Sequence, residues 1–330
     1  MKTAVLFNDT RPHFHHGCDR VMSVLEKKLL HRGITVIATS PVRHEWRLDE
    51  GLLRTIAQAD LLIINGEGTL HHGSKHGVNL LSLVHHQARV GKPLYLINAL
   101  YQENPASWGE QIRLFDGVWA RDSWSAKELS TVWGGPVDHF ADLTLCDGFV
   151  EFGLERKGML VGDSVKKAIT RELARVSIQT RGTRLVPTVH RIKSPKGKTG
   201  VAAIPRLIYG KIYQTIWNAR YPNFAMMPDQ DAYAALIAGS ALHVTGRFHG
   251  ACFSILTKTP FLTLSSNSWK LEALLADCGL AADRLVAPGD LAKAVGRRNW
   301  DFTSEEMQNI DRYVTWSNTA SDRAFDKMAA

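Results

Sequence analysis

Apolar residues along this 330-residue chain fall into short unbroken runs, separated by longer stretches in which they recur every three to four positions. Unbroken runs suit strands buried on both faces of a parallel sheet, and the wider spacing suits amphipathic helices packed on it. Residues 4–7, 34–38, 61–64, 93–98 and 117–122 predict strands, with helices over 20–31, 52–58 and 78–90. Val21, Val24, Leu25 and Leu29 share one face of the first helix, and Gly33 closes it. This alternation implies a doubly wound α/β domain. A second α/β unit begins near Gly158 and ends near Ala287, with residues 148–157 as linker, so the expected domains are 1–150 and 151–330. The length agrees, since single cores stop growing at about 250–300 residues. Finally, Thr303-Ser304-Glu305-Glu306 has the pattern of a capping box before a helix striped by Met307, Ile310 and Val314, which would cross back to the first domain.

Composition changes this picture little. Apolar residues are 45% and charged residues 22% of the chain, the balance of an ordinary globular protein rather than a disordered one. A net charge of +8 points to polyanionic or membrane-surface partners, but no nucleic-acid motif accompanies it, so nucleic acid is not an expected partner. The four cysteines (Cys18, Cys146, Cys252, Cys278) are widely spaced, and Thr3-Ala4-Val5-Leu6-Phe7 starts a strand rather than a signal peptide. Reduced thiols and a cytoplasmic location are the expectation. No apolar run reaches the roughly 20 residues that span a bilayer. Residues 191–221 join a basic loop to a stretch where Ile, Leu, Tyr and Trp alternate with Arg206, Lys211 and Arg220. That mixture fits peripheral contact with the inner face of the cytoplasmic membrane, and equally a solvated loop followed by a packed helix.

The candidate chemistry centres on Val244-Thr245-Gly246-Arg247-Phe248-His249-Gly250-Ala251, expected between a buried strand over 241–244 and a helix over 251–256. Free N–H groups at a helix start favour an anion, Arg247 supplies a planar fork of donors, and His249 can exchange a proton near neutral pH. The alternative is an Arg247 ion pair with a turn-capping His249. Asn65-Gly66-Glu67-Gly68-Thr69 follows the apolar strand over 61–64 and suits either close approach to a ligand or a tight turn. Arg121 and Asp122 stand at another strand end, as ligand contacts or as an ion pair at a helix start. Asp19 is a candidate helix cap or catalytic group. Lys270 either faces the same crevice or lies solvated on a helix. The histidines His13, His15, His16, His71 and His72 lack the accompanying Cys or carboxylate spacing of a zinc site, so no metal is expected.

Taken in order, these motifs resemble the polysaccharide pyruvyltransferase family. Gly17-Cys18-Asp19 corresponds to the family's Gly-Asp element, residues 65–69 to its glycine-rich strand end, and Arg121-Asp122-Ser123-Trp124-Ser125 to its Arg-Asp-x-x-Ser element. Phe140-Ala141-Asp142-Leu143 carries the family's aspartate, Arg247-Phe248-His249-Gly250 its Arg-x-His-Gly signature, and Lys270 follows. Two departures stand out: Glu67 where a further glycine is common, and the histidine-rich first loop. The resemblance implies two Rossmann-like domains facing a central cleft, as in GT-B enzymes, with the acceptor on the first domain and the donor on the second. It implies transfer of a pyruvyl group from phosphoenolpyruvate to a sugar hydroxyl pair in cell-surface polysaccharide synthesis, without a cofactor, on a glycan or lipid-linked oligosaccharide acceptor. His249, Arg247 and Arg121 would be catalytic. Arg121, Arg247, His249, Gly250 and Lys270 would hold the donor, and Asp19, His16, Asn65, Gly66, Glu67, Gly68 and His71 the acceptor. A glycosyltransferase using a nucleotide-activated sugar, such as a CMP-linked acidic sugar, and a non-catalytic glycan-binding protein are the competing readings.

Overall fold

The computed structural model describes residues 1–191, 212, 215–221, 223–297 and 299–330. Two parallel sheets carry the fold. The first has strand order β2-β1-β3-β4-β5-β6, formed by Lys2–Asp9 (β1), Ile34–Pro41 (β2), Leu61–Asn65 (β3), Leu94–Ala99 (β4), Gly117–Ala120 (β5) and Asp138–His139 (β6). The second has order β11-β10-β9-β7-β8, formed by Met159–Ser164 (β7), Thr183–Leu185 (β8), Leu242–Gly246 (β9), Phe261–Leu264 (β10) and Leu285–Val286 (β11). Every residue of β3 and β4 is buried, as expected of strands covered by helices on both faces. The two-domain Rossmann-like architecture and the returning terminal helix expected from the sequence are both present.

Each sheet has one point where the strand order reverses, between β1 and β3 in the first and between β7 and β9 in the second. Loops leaving the carboxyl ends of such strands diverge and leave a crevice. The segments after β1 and β3 therefore face those after β7 and β9. Residues 14–16 and 188–190 fasten the two sides: His16 N donates to Thr188 O at 3.1 Å, and His190 N to Phe14 O at 3.0 Å.

The terminal helix Ser304–Ala329 starts in the expected capping box, with Thr303 and Glu306 each bonding the other's backbone N–H. Its Ile310 and Val314 belong to the core of the second unit, while Phe325 and Met328 are buried against β1 and the first helix. Lys28 to Asp322 at 2.9 Å and Arg32 to Asp326 at 2.7 Å fix its far end. Burying both ends of one helix in different cores ties the units together.

Two expectations need adjustment. The helix expected over 78–90 is Lys75–Leu81, followed by short 3-10 turns, because Ser82 Oγ bonds Asn79 O and its hydroxyl competes with the helix ladder. Of the expected membrane-facing segment, residues 192–211, 213, 214 and 222 lie outside the described residues. Within the remainder, Tyr221 is buried in the second core and Trp217 stacks on it at 5.0 Å, so these aromatics serve packing.

Candidate active site

After β1 comes the 3-10 turn Arg11–His13 and then the helix His16–Leu30, with His15 as its N-cap. Gly17, the second residue of that helix, lies against the ring of His249: a β-carbon there would fall 2.1 Å from His249 Cγ. The glycine is what lets the first helix and the helix Phe248–Leu256 approach across the crevice. Gly66 plays a comparable part after β3, where a β-carbon would meet Ala99 Cα at 2.7 Å. Gly68, at φ +60°, then turns the chain in the left-handed region.

His249 is the meeting point. Its Nε2 lies 3.5 Å from Glu67 Oε1 and 3.6 Å from Asp142 Oδ1, with no hydrogen-bond partner among the described residues. Asp142 is fully buried. Burial alone would raise its carboxyl, but His249 and Arg121 outweigh that and hold it well below the usual carboxylate range. Asp142 Oδ2 accepts from Arg121 Nη1 at 3.2 Å, and its Oδ1 from Thr144 N at 3.0 Å. Glu67 accepts from Thr10 Oγ1 at 2.7 Å and from Cys18 Sγ at 3.2 Å.

Around His249 opens a cavity of about 590 Å³, walled among others by His15, Glu67, His71, Arg247, His249 and Lys270. Arg247 caps the carboxyl end of β9 and its Nε donates to Asp163 Oδ2 at 2.9 Å, at the end of β7. The expected ion pair is thus real, but one edge of the guanidinium still faces the cavity wall. Lys270 opens the helix Lys270–Asp277, donates to Asn267 Oδ1 at 3.1 Å, and is pushed down to about 7 by burial, with Arg121 and Arg247 adding to it. His71 binds Gly68 O at 3.1 Å and is lowered to about 4, first by burial and then by His72 and Lys270.

Other sequence candidates stand back from the wall. Arg121 is 3% exposed, locked to Asp142 and stacked over the Phe248 ring at 4.4 Å, so it supports the site from behind. Asp122, expected as its partner, instead caps the helix Ser123–Trp133 through Ser125 N at 2.7 Å. His16 is fully buried, stacked on Tyr233 at 4.6 Å, and burial and His190 lower it to about 4. Asp19 pairs with His190 at 2.9 Å. Asn65 is buried and braces the turn, its Oδ1 accepting from Glu67 N at 3.2 Å. Gly250 is set against Thr245, where a β-carbon would lie 2.5 Å from Oγ1, and so serves helix-on-strand packing.

Four residues at the site escaped assignment from sequence. Asp163 carries the plainest signal, a carboxylate closing the apolar strand Met159–Ser164. Asp142 was visible only as a motif residue without a role. In the sequence Cys18 stands within the Gly-Asp element and His15 within the histidine-rich loop, yet ligand atoms of His15, Cys18 and His249 all lie within 4.8 Å of one another, with Glu67 adjoining. The Cys and carboxylate partners missing from the linear spacing are therefore present in space. Their hydrogen bonding does not fit a bound metal: His15 Nδ1 accepts from Gly17 N at 3.1 Å, whereas metal-bound histidines donate from their second nitrogen. In the metal-free site burial, followed by Glu67, raises the Cys18 thiol well above its ordinary range.

A family model for polysaccharide pyruvyl transferases matches residues 7–268. The chain belongs to that family. It is accordingly a transferase with a glycan acceptor and a donor substrate. No curated protein matches it. Among solved structures, a putative UDP-N-acetylglucosamine 2-epimerase from Listeria monocytogenes aligns with TM-score 0.57 and 12% identity, covering 98% of this chain and 94% of the other. S. aureus MnaA bound to UDP aligns with TM-score 0.57 and 12% identity over 98% and 95%. Anabaena Alr3699/HepE in complex with UDP gives 0.53 and 12% over 99% and 100%. At these identities the likeness establishes the shared GT-B-type fold.

Proposed function

We propose that this pyruvyl transferase takes phosphoenolpyruvate as donor and forms a pyruvate ketal on two hydroxyls of a sugar, releasing phosphate, in the synthesis of a cell-surface polysaccharide. The observation that supports the reading best is His249 Nε2, without a hydrogen-bond partner among the described residues and set between two carboxylates at the wall of a cleft that also carries Arg247 and Lys270. Phosphoenolpyruvate has a carboxylate and a phosphate within a few atoms, and clustered fixed cations suit both.

The step is a protonation followed by two additions. His249 delivers the Nε2 proton to the methylene carbon of the donor, leaving the neighbouring carbon electrophilic. A sugar oxygen bonds to that carbon and its hydroxyl proton passes to a carboxylate, the candidate being Glu67, 3.5 Å from His249 Nε2. The second sugar oxygen then displaces phosphate by breaking the carbon–oxygen bond, and its proton leaves with phosphate or through Glu67. Atoms balance: one proton enters the new methyl group, two leave the hydroxyls, and no oxidant is used. Asp142, kept anionic behind the ring, orients His249 and balances its charge. No cofactor takes part in this scheme.

A lipid-linked oligosaccharide would bring its acceptor sugar to the cleft at a membrane surface, and peripheral contact through residues 191–221 belongs to the same proposal. Co-sedimentation with anionic vesicles tests it, and equal recovery with neutral vesicles would count against it.

The nucleotide-sugar alternative draws on the UDP bound by the MnaA and HepE structures, which share this fold. Incubation with phosphoenolpyruvate, UDP-sugars and CMP-linked acidic sugars, each with a panel of glycosides, separates the two. Phosphate release with ketal formation supports the proposal; UDP or CMP release without phosphate overturns it.

A further inference from the structure

His15 has a ring whose two nitrogens are assigned different tasks by the backbone. As N-cap of the first helix it uses Nδ1 to accept Gly17 N–H at 3.1 Å. A nitrogen that accepts a backbone N–H holds no hydrogen, so in the neutral ring the hydrogen is on Nε2. The ring is 8% exposed, belongs to the cavity wall, and meets the His249 ring edge-on, with centroids 5.1 Å apart.

The backbone around it is held from both sides. Phe14, immediately before, has φ 54°, a left-handed conformation that is costly for a bulky side chain. Its carbonyl accepts from His190 N at 3.0 Å, and His15 itself bridges to Val189. A strained residue pinned in this way at a cleft is a mark of a position specified by function.

Resting on the reading of this cleft as an anion-binding transferase site, we propose that His15 is a neutral hydrogen-bond donor, its Nε2–H binding an anionic oxygen of the donor substrate. The charge around His15 favours that form. Burial lowers it well below its ordinary range, and His249, Arg247, His16 and His13 push the same way. Cys18 and Glu67, also beside His249, bond each other at 3.2 Å. A neutral donor beside His249 binds an anion without placing a second positive ring against the one that carries the proton. The site takes phosphate or carboxylate oxygens, which pair with such a donor as well as with Arg247 and Lys270.

Asparagine and glutamine separate the two nitrogens. His15→Asn keeps an N-capping oxygen near Nδ1 and loses the donor. His15→Gln places an amide N–H near Nε2 and loses the cap. Binding of inorganic phosphate to the full chain is measured by calorimetry for wild type and both variants, with long-range ¹⁵N–¹H NMR of the ring and zinc content by elemental analysis. We expect His15→Asn to keep the wild-type melting temperature and lose roughly ten- to a hundredfold in phosphate affinity. His15→Gln should melt lower yet bind phosphate several-fold more tightly than His15→Asn. The wild-type ring should show a bare Nδ1 and a protonated Nε2 that shifts with phosphate.

Wild-type phosphate affinity in His15→Asn, an Nδ1–H or doubly protonated ring at neutral pH, absence of phosphate binding in wild type, or one zinc per chain lost in His15→Asn would each overturn the assignment. If the wild type releases no phosphate from phosphoenolpyruvate while the Asn/Gln split holds for inorganic phosphate, the proposed reaction fails and the role of His15 stands.

Discussion

Gly17 and His249, from opposite ends of the chain, touch so closely that a β-carbon on the glycine would fall 2.1 Å from Cγ and 2.3 Å from Cβ of the histidine. The contact is at the root of the ring rather than at a flexible tip, so rotation of the side chain does not relieve it. Gly17→Ala should displace His249 from Glu67 and Asp142. We expect a loss of activity of at least a hundredfold with the fold retained, checked by phosphate release and circular dichroism; activity within about threefold of wild type would mean that this contact does not position the ring.

Removing the proton carrier and its neighbouring cation should stop turnover without unfolding the chain. His249→Ala is expected to lower phosphate release by about 10²–10⁴-fold, the usual worth of a positioned acid. Arg247→Ala should abolish donor saturation, and leaving the largely buried Asp163 without its cation should cost about 1–3 kcal/mol of stability. Near-normal steady-state rates in either variant would remove these residues from the chemistry.

Arg121 should behave in the opposite way. Arg121→Ala strands the fully buried Asp142 carboxylate without its cation, and is expected to cost about 3–5 kcal/mol in urea denaturation. A variant as stable as wild type but unable to bind donor would instead return Arg121 to the direct ligand role that its place after β5 suggested.

The pH dependence of donor binding should carry the mark of Lys270. With this amine pushed down to about 7, it is charged below that pH and neutral above it, so anion affinity is full on the acid side and falls as pH rises. Arginine stays charged throughout. Calorimetry of phosphoenolpyruvate from about pH 6 to about pH 9 should show the alkaline loss in wild type and its removal in Lys270→Arg. The same limb in both would assign it to another group.

The sheets were legible because their strands are unbroken apolar runs such as Leu61-Leu62-Ile63-Ile64, which only double-sided burial explains. The terminal helix was legible through the capping box at Thr303 and Glu306. At the site, Arg247 and His249 could be found because they leave a strand end, where ligands meet open α/β sheets. The difference between Arg121 and Arg247 could not. Both follow apolar strands, and only the packing of Phe248 over one guanidinium buries it while leaving the other at the wall. The histidine-rich loop misled for a related reason: Glu67 and His249 are brought to His15 and its helix neighbour Cys18 by the meeting of two strand switch points, a juxtaposition absent from any linear spacing.

The identity of the donor is tested by a thermal-shift comparison, which requires no knowledge of the acceptor. A ligand present at about a hundred times its Kd stabilises the folded state by about 2.7 kcal/mol, enough to raise the melting temperature by several degrees. Phosphoenolpyruvate should produce this rise in the wild type and not in Arg247→Ala, while UDP and CMP should produce none. A rise with UDP or CMP and none with phosphoenolpyruvate would contradict this donor assignment.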